Sequence, residues 1–267
     1  PAPPCRGRGR SGMLVALSAL ALPTKPYKCD KTTTASDVVV GHDMTNKHVL
    51  ITGGDSGLGF ATALALAEAN ATLFIASLSP ATHGAAAAAA LRNHSQGAPV
   101  SVLPLDLSNF TSVRACAQAF LEAHAPLDVL INNAGIAYDP SWLSPLTDDG
   151  FERVFQVDYL GHFLLTELLR PALTAASSST RLARVINVAS EASRLACGWA
   201  SAPSNCTDIA SLPPPSRSAG NNSAGAPNSN YGLSKFLQIY HAKELTKRAA
   251  AASVPSLWAF SVHPGVV

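Results

Sequence analysis

"HVLITGGDSGLGFATALALAEA", residues 48–69, is the stretch that decides the fold. A short apolar run breaks into a glycine-rich turn, and the turn opens directly into a helix of small apolar residues. A turn of this kind lets backbone N–H groups approach an anion such as a pyrophosphate at the positive end of the helix. The glycines at 53, 57 and 59 follow G-x-x-x-G-x-G, a different spacing from the commoner G-x-G-x-x-G dinucleotide fingerprint. Glycines also serve ordinary tight turns, so it is the strand–turn–helix setting that points to a nucleotide.

Working outward, further apolar runs bounded by turn residues occur at "TLFIAS" (72–77), "VSVLPLDL" (100–107), "LDVLINNAG" (127–135), "RVINVAS" (184–190) and "LWAFSVHPG" (257–265). Between them lie stretches with helical periodicity, such as "FERVFQVDYLGHFLLTELL" (151–169). Short continuous apolar strands alternating with helices imply an α/β fold, a parallel sheet covered on both faces. Two segments stand apart. The alanine run 85–90 reads as a surface helix, and residues 196–230, rich in Ser, Pro, Asn and Ala, read as a low-complexity insertion without a core of its own.

At 267 residues and 47% hydrophobic content the chain can bury a large core, which fits one domain over residues 43–267. A formal charge of +2 with the signs interspersed carries no electrostatic footprint for nucleic acid. Five scattered cysteines without a C-x-x-C pair argue for free thiols over a disulfide framework. The eight histidines never fall at ligand spacing beside Cys or acidic partners, so no metal is expected. Residues 1–42 read as an N-terminal tail. Arg6, Arg8 and Arg10 precede an apolar run, Met13 to Leu22, that is too short to span a bilayer. That pattern is compatible with a signal peptide, a transit peptide or a tail with no address, leaving cytoplasm and an organelle such as a plastid both open. Membrane association and oligomeric state are not legible. N-x-S/T matches at Asn70, Asn93, Asn109, Asn205 and Asn221 fall mostly within or beside core segments and read as chance.

"SNYGLSK", residues 229–235, sets Tyr231 and Lys235 four positions apart, on one face of a helix. At about 100° per residue, Leu233, Phe236, Leu237 and Tyr240 form an apolar stripe on nearly the opposite side. On this reading the Tyr–Lys pair is not needed for packing.

Taken in order, "TGGDSGLG", "LDLS" (105–108), "NNAG" (132–135), Ser190, "YGLSK" and "HPG" (263–265) resemble the short-chain dehydrogenase/reductase family over residues 43–267. "LDVLINNAG", "YLGHFLLTELL" and "VINVASEASR" are most similar to its retinol-dehydrogenase-like branch. The resemblance implies a Rossmann-type doubly wound parallel sheet, a nicotinamide cofactor, and interconversion of an alcohol and a carbonyl on a small or lipophilic substrate. It implies that Gly53, Asp55, Ser56, Gly57, Leu58 and Gly59 surround the pyrophosphate, that Asp106 and Leu107 meet the adenine, and that Asn133, Ala134 and Gly135 line the cofactor. Ser190 would bond the substrate oxygen, Tyr231 would be the acid/base with Lys235 its partner, and Pro264 and Gly265 would shape the backbone near the nicotinamide.

The chemistry explains these residue types. Hydride transfer to a ketone leaves an alkoxide that must gain a proton. A phenol, with an ordinary pKa near 10, is a weak acid/base at neutral pH, and a nearby ammonium favours its phenolate form. For the cofactor, NAD users carry an acid at the end of the second strand and NADP users an Arg there or nearby. Ser77 and Leu78 supply neither, and the missing acid leans the expectation to NADP, with NAD open. Asp55 could point outward. Three features depart from the family: Asp158 stands where Asn is usual, 41 positions separate Ser190 from Tyr231, and the chain stops after the sixth strand, as if its C-terminal end were truncated. Asp158 near Lys235 would oppose the phenolate. The alternative is a non-catalytic dinucleotide-binding scaffold or sensor. Light-driven protochlorophyllide reduction is disfavoured, because Val266 stands where those enzymes have Cys.

Overall fold

A computed structural model describes residues 32–95, 97–123, 126–137, 146–178, 181–197, 230–252 and 256–265. The tail before residue 32 and most of the 196–230 insertion lie outside them.

After a one-turn helix α1 (Ala35–Val39), the chain alternates as the sequence pattern requires. The elements are β1 (His48–Thr52), α2 (Gly57–Glu68), β2 (Thr72–Ser77), α3 (Ala85–His94) entered through a π turn at Pro80–Gly84, β3 (Val100–Pro104), α4 (Phe110–Ala123) and β4 (Val129–Asn132). A continuous helical stretch follows: α5 (Arg153–Phe155), a π turn (Gln156–Leu160) and α6 (Gly161–Ala176). Then come β5 (Ala183–Val188), a 3₁₀ helix (Glu191–Cys197), α7 (Asn230–Ala251) and β6 (Leu257–Val262). The six strands form one sheet in the order β3-β2-β1-β4-β5-β6, every pair parallel.

Alternation along the central strands divides the core in two. Val49 and Ile51 of β1, with Leu73 and Ile75 of β2, pack under α2 and α3. Leu50 and Phe74 point the other way, into the cluster that holds Phe120 of α4, Leu165, Leu169 and Leu173 of α6, and Leu245 of α7. Two covered faces explain the continuous apolar runs. The alanine run is only partly a surface feature, since Ala87, Ala88 and Leu91 are buried against the sheet.

At the opposite end of the sheet from the glycine turn, the buried Asp128 carboxylate binds Arg181 through both oxygens at 2.5 Å and Lys47 at 3.2 Å, and it accepts the His48 amide at 3.0 Å. Burial works against ionisation here, but these donors hold its pKa below the usual carboxylate range. The entrances to β1, β4 and β5 are thereby tied together, which leaves the other strand ends for chemistry. Among the described residues no helix is long and apolar enough to cross a membrane.

Candidate active site

The site is built where the first strand ends. Thr52, fully buried, accepts the amides of Asn133 at 2.9 Å and Ala134 at 3.0 Å through its hydroxyl oxygen. Asn133 returns its side-chain amide to the carbonyls of Thr52 at 2.9 Å and Gly53 at 3.3 Å. These bonds stitch the glycine turn to "NNAG", so Asn133 is a structural strut as well as a lining residue. Gly59 is required by space: a Cβ there would stand 2.1 Å from the Gly53 carbonyl oxygen and 2.6 Å from Asn133 Nδ2. Gly57 is different, with φ +51° and open space where a Cβ would project. Ser56, at the helix N-cap, makes no side-chain bond back to α2. The first-turn amides therefore keep their approach to a ligand, and the turn fits a pyrophosphate.

Eight of the sequence-predicted residues line one cavity of about 290 Å³: Leu58, Asn133, Gly135, Ser190, Tyr231, Lys235, Pro264 and Gly265. Ala137, Val188, Ala189 and His263 complete its wall. Lys235 is nearly fully buried; its ammonium lies 5.3 Å from the centre of the Tyr231 ring and donates to the Val188 carbonyl at 3.2 Å. The i, i+4 spacing of the pair thus produces the expected juxtaposition.

Asp158, fully buried in the π turn before α6, reaches the same lysine. Its Oδ2 lies 3.1 Å from Lys235 Nζ, and its Oδ1 accepts the Ile136 amide at 2.8 Å. Burial pushes its pKa up, opposed by the Lys235 charge and the Ile136 bond. Gly135 leaves the room for this pair, because a Cβ there would stand 3.0 Å from Oδ2 and 3.2 Å from Nζ.

Beneath the cavity runs a polar layer. Thr52 Oγ1 lies 2.8 Å from His162 Nε2, and His162 Nδ1 lies 3.3 Å from the Asp158 carbonyl. A carbonyl only accepts, so Nδ1 carries the hydrogen and Nε2 takes the Thr52 hydroxyl. Gln238 donates to the same Asp158 carbonyl at 2.5 Å, while Asn187 links Asn132 to α7. Sequence reasoning missed His162 and Gln238, since a polar residue within a helix carries no signal that its side faces inward.

Two expectations are corrected, those for Asp55 and for the apolar stripe of α7. The Leu107 side chain packs into the hydrophobic core, so a contact with the adenine would come from its backbone. Asp106 turns one carboxylate oxygen into its own loop, accepting both the Ser108 amide and hydroxyl at 2.8 and 2.6 Å. Asp55 turns inward: its Oδ2 accepts the Ser77 hydroxyl at 2.5 Å. The apolar stripe of α7 is also not its packing face. Gly232, Ser234, Lys235, Gln238 and His241 are buried, whereas Phe236, Leu237 and Tyr240 are half-buried. Only Leu233 of that stripe is buried, so the Tyr–Lys side is the inward one. Among the described residues no group of three or more His, Cys, Asp or Glu side chains could hold a metal. Cys116 is a buried free thiol, pushed up to about 12 by its apolar surroundings.

The sheet order, glycine turn and Ser–Tyr–Lys cavity define a class, and comparison with known proteins agrees. The short chain dehydrogenase profile matches residues 47–203, and the chain belongs to that family. It is 34% identical to the WW domain-containing oxidoreductase of Danio rerio over 90% of this chain and 54% of that protein. It is 37% identical to mouse retinol dehydrogenase 12 over 83% of this chain and 61% of that protein. The chain thus spans about half the length of the WW domain-containing oxidoreductases it matches. Among solved structures, the Pseudomonas aeruginosa RhlG/NADP active-site complex superposes with a TM-score of 0.62 at 29% identity, covering 84% of this chain and 74% of that one. An NADH-dependent reductase complexed with NAD reaches 0.63 at 24% identity over 87% of this chain and 81% of that one, a likeness of fold.

Proposed function

We propose that this protein interconverts an alcohol and a carbonyl with a nicotinamide dinucleotide, using Tyr231 as the acid/base. The observation that carries this reading is the single cavity in which Ser190, Tyr231 and Lys235 meet Leu58 of the glycine turn and the Pro264–Gly265 backbone. The dinucleotide, when bound, supplies or accepts the hydride. Gly57 and the open N-terminus of α2 would take its pyrophosphate, with Asn133 and Gly135 along its path and Pro264 and Gly265 at its far end.

The chain's own groups handle the proton. Ser190, two residues past the end of β5, donates to the substrate oxygen and holds it near the phenol. Tyr231 gives up or takes the proton at that oxygen, and the Lys235 ammonium favours the phenolate when it forms. Leu58, Ala137, Val188 and Ala189 line the cavity beside the polar Asn133, Ser190, Tyr231, Lys235 and His263. The similarity to retinol dehydrogenase 12 puts retinoids among the first compounds to test. One observation favours a non-catalytic dinucleotide-binding protein: Lys235 is already paired with Asp158.

Tyr231→Phe separates the two readings. On the enzyme reading, turnover falls by about two to four orders of magnitude, the worth of a positioned acid/base, while dinucleotide affinity measured by calorimetry stays within a few-fold. Turnover preserved in that variant would end the assignment. Dinucleotide binding by a wild-type chain inactive on aldehydes, ketones and retinoids would favour the scaffold.

A further inference from the structure

We infer that Asp55, anchored by Ser77, makes the site select NAD over NADP; the inference rests on the dinucleotide reading above. In this fold the adenosine ribose lies beyond the carboxyl ends of the first two strands, where an acid on the second strand accepts its hydroxyls. Ser77 and Leu78 occupy that place in the sequence and carry no acid. The structure supplies one from the neighbouring turn. Asp55 follows β1 by three positions, and its Oδ2 accepts the Ser77 hydroxyl at 2.5 Å.

Ser77 is itself fixed. It is the last residue of β2 and only 1% exposed, and its Oγ accepts the Ser79 amide at 3.1 Å. A buried, doubly bonded hydroxyl thus holds the half-buried Asp55 carboxylate at the second strand's end. Among the described residues Asp55 Oδ1 makes no hydrogen bond, so that oxygen can accept from a ribose hydroxyl.

The surrounding charge points the same way. No Lys or Arg occurs from His48 to Leu91, the segment that forms β1, α2, β2 and most of α3. Arg92, the next one, spends its guanidinium on the Val100 carbonyl at 2.5 Å. The one basic side chain in the turn after β2 is His83. Asp106 adds a second carboxyl beyond the end of β3, the strand paired to β2. A 2′-phosphate would bring close to two negative charges against Asp55 with no guanidinium to meet them.

The test is calorimetric titration of the full chain with NAD⁺ and with NADP⁺, read as the ratio of the two affinities. Wild type is expected to bind NAD⁺ at least about tenfold more tightly, a difference of about 1.4 kcal/mol. Asp55→Asn should narrow that ratio, mainly by gaining affinity for NADP⁺. Leu78→Arg, at a side chain 72% exposed, should gain NADP⁺ binding and so narrow the ratio as well. Tighter binding of NADP⁺ by wild type, equal affinities, or an unchanged ratio in a folded Asp55→Asn protein would overturn the inference and leave the proposed function standing. Failure of both dinucleotides to bind would overturn both. If Asp55→Asn does not fold, the wild-type ratio and Leu78→Arg decide.

Discussion

At Asp158 a single atom's difference sets the electrostatics of the site. The family resemblance places an amide at this position, and the chain has a fully buried carboxyl 3.1 Å from Lys235 Nζ. An ionised carboxylate accepts hydrogen bonds and cannot donate them, and on the proposed reading its charge would compete with a Tyr231 phenolate for the ammonium. Asp158→Asn keeps an acceptor for the Ile136 amide and removes that competition. On the proposed reading, the pH–rate profile for alcohol oxidation should then move to lower pH, with turnover at neutral pH rising about tenfold for each pH unit of the shift. Breaking a buried ion pair ordinarily costs about 3–5 kcal/mol. The cost here should fall below that range, because burial outweighs Lys235 in setting the Asp158 pKa. A slower variant with an unmoved profile would show that Asp158 is an adapted part of the site. The sequence revealed this residue through the family pattern, but the structure was needed to show that its partner is the lysine itself.

At the scale of elements, legibility followed burial. All six strands were readable as apolar runs: β1, β2 and β4 because both their faces are covered, and β6 although Trp258, Phe260 and Val262 leave one of its faces exposed. Helix α7 misled the pattern reading for a physical reason. Periodicity analysis assumes that the buried face is the apolar one, and the inward face of α7 carries Ser234, Lys235, Gln238 and His241, part of the polar layer around the candidate cavity. The glycine turn shows a similar limit: the spacing identified its three glycines without separating their jobs. Space around Gly59 is closed by the Gly53 carbonyl and Asn133, whereas Gly57 faces open volume at a positive φ. Gly57→Ala should therefore cost only the left-handed backbone penalty, about 1–2 kcal/mol, while dinucleotide affinity falls tenfold or more. Gly59→Ala should lose more stability, because the turn must move to admit the methyl group. Denaturant midpoints and calorimetry on the two variants check the division. Unchanged dinucleotide affinity in Gly57→Ala would remove the pyrophosphate from this turn.

Across the whole molecule, the two apolar clusters flank a sheet whose carboxyl end is underlain by polar side chains, and that layer makes stability depend on pH. Burial, with the Lys235 charge second, pushes His162 down to about 3; burial, with Arg248 second, pushes His241 down to about 4. Both lie below the ordinary value of 6.5. A histidine held neutral in the folded chain takes up a proton more readily once unfolded. Its contribution is therefore present in full above pH 6.5 and is lost as the pH falls toward the folded values. At pH 5 the loss is about 2 kcal/mol for each residue, from about 1.5 pH units at 1.36 kcal/mol each. Asp128, whose pKa is lowered, adds a loss of the same sign in the more acid range, below about 4. The consequence reaches the active site, because His162 Nε2 accepts the Thr52 hydroxyl, and that same oxygen holds the Asn133 and Ala134 amides. Protonating His162 removes the acceptor and loosens the strut between the glycine turn and β4. Denaturant unfolding at pH 7 and pH 5 should show the wild type less stable at pH 5, by at most about 4 kcal/mol, because the raised pKa of buried Asp158 and Glu152 acts with the opposite sign. His162→Gln, which keeps a side-chain amide near the Nε2 position and cannot titrate, should lose less. Equal losses in the two proteins would mean that the pH dependence arises elsewhere than at His162.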